Sequence, residues 1–200
     1  MNPQKPDRII AAADYFNAGF CRLLTTERGI HTETVIASSA RMAGTMLFRS
    51  FVFPGGKFEP GTTVLSEEAN VQGPKLMGLL FGTLQKLGQT VGEETINQEA
   101  LSTKDSHLTL LKTQELFDPL VLSYCSAKQL DFEEAAFSLA MTSAVIVHDC
   151  QALLDVQSSA SIALYGFIEG SKTAPIAMNA PRKPILGGID GAKKPWYKLW

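Results

Sequence analysis

Hydrophobic positions recur at helical spacing over most of the chain, and almost nowhere do they alternate as a half-buried strand requires. Ile9, Ala13, Phe16, Phe20, Leu23 and Leu24 form one such stripe behind Asp7, which can cap it, and Gly29 marks its end. A second helix is expected from His31 or Thr32 to about Phe51. Its apolar residues (Val35, Ile36, Ala40, Met42, Ala43, Met46, Leu47, Phe48, Phe51) point nearly all round. A helix with no polar side belongs among other helices, not on a surface.

Pro54, Gly55, Gly56, Pro60 and Gly61 then break the chain. Residues 54–73 carry no clear period, although 65–71 has room for a turn or two of helix. Pro74 suits the first position of a third helix, with Leu76, Leu80, Thr83, Leu84 and Leu87 on one face and Gly88 as its stop. Residues 89–105 read as a polar connector. Ser106 or Asp105 can cap a fourth helix carrying Leu108, Leu111 and Leu116, and Pro119 either kinks it or opens a new one before Leu120, Val121, Tyr124 and Cys125. Asp131 and Glu134 have the spacing of a capping box. The helix behind them should reach about Leu154. A weaker segment from Ile162 to Ile168 ends at Gly170, and residues 161–168 with 51–53 are the best strand candidates. The pattern predicts an all-α fold: one helical domain of about six helices over residues 1–172, with the second and the Asp131-capped helices central.

From Thr173 onward Pro175, Pro181, Pro184, Gly187, Gly188, Gly191 and Pro195 forbid a long helix or a central strand. Residues 173–200 are therefore expected as an irregular tail. Yet Trp196, Tyr197, Leu199 and Trp200 close it with an aromatic–aliphatic cluster, rimmed by Lys193, Lys194 and Lys198. Left in water, such a cluster is the kind of patch that marks interaction sites. The tail should pack on its own domain or on a partner subunit.

Composition narrows the classes. The 200 residues are 45% hydrophobic and carry 18 Lys+Arg against 20 Asp+Glu, a formal net charge of -2. That excludes wholesale disorder and gives no footprint for phosphate-backbone binding, so no nucleic-acid partner is expected. The most apolar run, residues 135–147, is too short to span a bilayer, and the N-terminal residues show no signal-peptide core. The expectation is a cytoplasmic protein without membrane insertion. Cys21, Cys125 and Cys150 lie far apart, without a CxxC, which disfavours a disulfide framework or a Cys-rich zinc site.

Candidate chemistry is sparse. The run AVIVHDCQ around His148-Asp149 resembles the histidine–aspartate core of the HD-type metal-dependent phosphohydrolases, which are also all-helical. The resemblance covers these few residues. It implies an earlier His, for which His31 or His107 is available, and a later Asp, where Asp155 and Asp190 have unpersuasive spacing. The simpler expectation is that His148 ends an apolar face, that Asp149 is solvated, and that the chain holds no metal and no cofactor. His31-Thr32-Glu33 matches the H-x-E of zinc deaminases, but the P-C-x-x-C that completes such a site is missing, so His31 and Glu33 are expected to serve the helix start. Gly166 to Thr173 has the wrong spacing for a phosphate loop, and Gly170 reads as a helix stop. No Glu-x-x-His, G-x-S-x-G or S-x-x-K occurs.

Two packing features remain. Gly78 and Gly82, four apart, should let another backbone approach the third helix. Arg41 and Arg49 lie inside the apolar second helix, and each should snorkel, pair with a carboxylate or meet a ligand anion. Glu67, Glu68 or Glu33 are the expected partners, brought over by the 54–73 loop as it covers one end of that helix. Three functions stay open. The first is a non-enzymatic interaction or regulatory protein acting through its helical surface and tail, with a protein partner or as a homo-oligomer. The second is an HD-like hydrolase using His148 and Asp149. The third is a small-ligand binder near Arg41, Arg49, His31 and Glu33.

Overall fold

Six helices and no strand are present among the described residues, 5–53, 56–92, 96 and 102–177 of a computed structural model. They are α1 (Lys5–Leu24), α2 (Thr32–Ser50), α3 (Glu67–Lys86), α4 (Leu110–Lys128), α5 (Phe132–Asp149) and α6 (Val156–Ser171). The all-α reading holds. None of these helices is long and apolar enough to cross a membrane.

Both α2 and α5 meet every other helix, as their all-round apolar patterns require. From Thr32 to Phe48 only Glu33 on α2 escapes full burial. The hydroxyls buried in α5 are satisfied within the helix, Ser138, Thr142 and Ser143 each donating to the carbonyl four residues back. Ser143 also donates to Ser39 of the antiparallel α2, and Thr142 to Ala13 of α1. Stacked rings join α1 to α4, Phe20 on Phe117 at 4.0 Å and Tyr15 on Tyr124 at 4.2 Å. The Asp131 capping box is formed, Asp131 accepting from Glu134 N and Glu134 accepting from Asp131 N.

Helix α6 runs parallel to α2 at unusually close range. An added Cβ on Gly170 would stand 2.3 Å from the Arg41 carbonyl oxygen, and one on Gly44 2.5 Å from that of Phe167. Gly166 meets Ala40 the same way. The weak 162–168 segment is thus the middle of a full helix capped by Asp155, and neither it nor 51–53 is a strand. Gly170 is a close-approach residue inside that helix rather than its stop.

Several expectations need correction. α3 starts at Glu67, capped by Ser66, and carries Pro74 inside it. The loop is correspondingly shorter. Ser66 accepting from Ala69 N, with Glu67 and Glu68 at the positive end of the dipole, favours a start there, and the buried face of Leu76, Leu80 and Leu84 helps offset the backbone bond that Pro74 removes. α4 is capped by Thr109, not Ser106 or Asp105, and continues through Pro119. α5 stops at Asp149, with a turn before Asp155. Gly78 and Gly82 have nothing within 4 Å of an added Cβ; they lie on an exposed face of α3.

The two glycine pairs therefore predict opposite outcomes. Gly170→Ala drives a methyl into the α2 backbone and should lower unfolding free energy by about 2 kcal/mol or more. Gly78→Ala gains helix propensity in open space and should raise it by up to about 1 kcal/mol. Urea unfolding of both variants reads the difference.

Candidate functional site

Arg41, Thr45 and Arg49 recur every fourth residue along one face of α2, and that face gathers the polar chemistry of the bundle. Both arginines are paired, but with other carboxylates than the sequence suggested. Arg49 makes a two-pronged contact with buried Asp118 of α4, Nη1 to Oδ1 at 2.6 Å and Nη2 to Oδ2 at 2.7 Å. Arg41 donates Nε to Glu169 of α6 at 2.7 Å. Its remaining N–H groups go to Ser106 Oγ, the Leu108 carbonyl, Thr103 Oγ1 and the second Glu169 oxygen. All five donors of a guanidinium are thereby engaged by the chain itself. Arg41 sits under the 102–109 segment, not under the earlier loop. Glu67 and Glu68 are spent on the start of α3 instead.

Between the arginines, Thr45 accepts from the Gln114 amide, and the Gln114 carbonyl oxygen accepts from Ile176 N at 2.8 Å. Arg49 Nη2 also donates to the Ile176 carbonyl at 3.0 Å. The backbone N–H and C=O of one tail residue, Ile176, are thus both held by side chains rooted in the core. Alongside, Val64 N donates to Lys172 O, Ala174 N to Thr62 O, and Gly61 N to Ala174 O. An extended strap over residues 172–177 results. Nothing in the sequence pattern signals it except the apolar Ile176 among prolines.

This strap passes an aromatic cluster at the C-terminal end of α2. Phe48, Val64 and Ala174 pack together with Phe53 against them, so the preceding loop does cover that end of the helix. Phe58 stands edge-on to Phe53 at 5.3 Å and to Phe48 at 6.4 Å. Phe58 is 39% exposed, Val52 80% and Leu65 82%. The residues Trp196, Tyr197, Leu199 and Trp200, expected to carry interaction, lie outside the described residues.

The histidines divide between two places. His31 and His107 stack at 3.8 Å, joined through Thr34, whose Oγ1 accepts from His107 N and meets His31 Nδ1. Glu33 lies 3.4 Å from His31 Nε2. His148 Nδ1 instead meets the Gln89 amide at 3.0 Å. Among the described residues no three His, Cys, Asp or Glu side chains are grouped to hold a metal ion, so His148 and Asp149 are not joined by an imidazole from His31 or His107 in such a set.

Asp149, Cys150 and Cys21 line a pocket of about 310 Å³ with Asn17, Thr32 and Val35. Burial pushes the Cys150 thiol up to about 11, with the neighbouring Asp149 carboxylate adding to it, and burial pushes Cys125 to about 11 as well. Both stay protonated near neutrality, the opposite of an activated nucleophile.

Asp149 keeps access to solvent, yet desolvation by its apolar surroundings raises its carboxyl above the ordinary value, partly opposed by His148. A carboxyl that is harder to ionise folded than unfolded costs stability once both states are ionised, and costs nothing below the unfolded pKa. Asp149→Asn should therefore stabilise at neutral pH, with the gain disappearing as pH falls through the carboxylate range. Thermal unfolding from pH 3 to pH 7 tests this; a gain that is independent of pH contradicts it. Comparison with known protein families, curated proteins and solved structures finds no match to this chain.

Proposed function

We propose that the protein is a non-enzymatic helical interaction module, and that its working face is the C-terminal end of α2. The observation that carries this reading is the double grip on Ile176. The backbone of an extended segment is held there by side chains, Arg49 donating to the Ile176 carbonyl and Gln114 accepting from Ile176 N, beside the backbone bonds of the 61–64 edge. Backbone bonding to an extended chain, with apolar side chains alongside, is how proteins commonly take up peptide segments. Val52, Phe58 and Leu65 supply the apolar surface and keep substantial exposure.

The alternatives have less support. A hydrolase needs groups poised to move protons or hold a metal, and the protonated thiols and the Gln89-bound His148 offer neither. A ligand at Arg41 would have to displace internal acceptors that already use all of its donors. The partner is a protein chain, either a second copy or a foreign one.

Site-specific photo-cross-linking in cells tests the reading. A benzophenone side chain at position 58 or 65 should form an adduct heavier by one protein chain, and Val52→Glu should suppress it. The same probe at Leu153, 78% exposed at the far end of the bundle, should not. No adduct from 58 and 65, either in the intact chain or with Trp196→Ala and Trp200→Ala, or an equal yield from 153, rejects this face.

A further inference from the structure

The same face has a candidate occupant within the chain. We propose that the segment 190–200, led by Trp196 and Trp200, docks in cis on the Val52–Phe53–Phe58–Leu65 surface, as an internal competitor for the partner; this rests on the interaction reading above.

Position comes first. The strap delivers the chain to this end of α2, with Ala174 packed against Phe48 and Val64 and Ile176 clamped two residues later. The clamp at Ile176 thus tethers the chain that follows it next to the surface it would cover. The stretch from there to Trp196 can reach about 60 Å when extended. As a coil its ends lie roughly 25 Å apart, a separation that gives an effective local concentration on the order of millimolar. A second copy at ordinary protein concentrations competes poorly with such a tether. For that reason the occupant is the chain's own segment.

Chemistry comes second. Trp196, Tyr197, Leu199 and Trp200 match an apolar surface that includes phenylalanine rings, of which Phe58 is 39% exposed. Charge also matches. Residues 178–200 hold Arg182, Lys183, Lys193, Lys194 and Lys198 against one acid, Asp190. The docking surface is flanked by Glu59, Glu67 and Glu68 against Lys57, all exposed. Complementary charge of this kind steers a tethered segment to one place among several apolar ones.

The test is built into the sequence, because Trp196 and Trp200 are the chain's two tryptophans and tryptophan emission therefore reports on this segment alone. In the intact protein the emission should be blue-shifted and poorly quenched by acrylamide, and both properties should survive dilution. Phe58→Glu and Leu65→Glu should each move it toward the emission of the urea-unfolded chain, while Leu153→Glu should leave it unchanged. Far-UV circular dichroism checks that the helices persist; Leu65, 82% exposed, is the substitution least able to disturb them. Solvent-like emission in the intact protein overturns the proposal. So does a blue shift indifferent to positions 58 and 65, which would put the segment elsewhere. A blue shift lost on dilution would make a second copy the occupant and overturn docking in cis. Cross-linking from position 58 together with solvent-like emission would reject only this inference. Emission that follows positions 58 and 65, with no cross-linked partner even when Trp196→Ala and Trp200→Ala free the face, would reject only the interaction reading.

Discussion

Two guanidinium groups on a helix with no solvent face set the terms for everything around them. Leaving either charge unpaired in the interior would cost several kcal/mol, so the chain must bring carboxylates to fixed points on α2. Asp118 brings α4 to Arg49, and Glu169 brings α6 to Arg41. The 102–109 segment is drawn in as well, since Arg41 has donors to spare after meeting one carboxylate and takes up Ser106, Leu108 and Thr103. The strap at Ile176 completes the row. One polar face of the central helix therefore fixes two neighbouring helices, one connector and the start of the tail, each in a single register.

The opposite demand, close approach, is met by small residues. Gly44 on α2 and Gly170 on α6 allow backbone-to-backbone contact that any side chain would prevent, and Gly166 makes room for the Ala40 methyl. That contact is also what puts Glu169 within reach of Arg41, because Glu169 lies between the two glycines of α6. Packing and pairing are thus parts of one arrangement. Serine and threonine hydroxyls inside α5 bond to their own helix and cost the core little, which is why a helix so rich in them can be central.

Much of this was readable beforehand, and the failures have physical causes. The extent of α2, its all-round burial and the Asp131 box follow from local pattern, and the structure agrees. That Arg41 and Arg49 would have to be satisfied follows from desolvation, with carboxylate pairing one of the solutions open to them. Which carboxylates could not be read locally: Asp118 and Glu169 are 69 and 128 residues away from their arginines. Sequence proximity favoured Glu67 and Glu68, and helix capping claimed them. Gly78 with Gly82 and Gly166 with Gly170 share the same four-residue spacing, yet only the second pair faces a neighbour. Spacing places glycines on one face and says nothing about what that face meets. Pro74 and Pro119 misled because propensity yields to capping and tertiary packing in long helices. The strap left almost no pattern, since backbone hydrogen bonds carry no sequence signature. His148 and Asp149, adjacent in sequence, face different company, Gln89 for one and the cysteine-lined pocket for the other.

If the polar face of α2 is the organising element, then the segments it holds should be as firmly ordered as helices, although they are not helical. Amide hydrogen exchange at single-residue resolution reads this directly, at Ile176, whose N–H is held by Gln114, and at His107, whose N–H is held by Thr34. The account predicts protection of both amides comparable to that of core amides in α2 and α5, and selective loss at Ile176 when Gln114 is replaced by alanine. Exchange of both at the rate of an unstructured peptide, with the helices still protected, would contradict it.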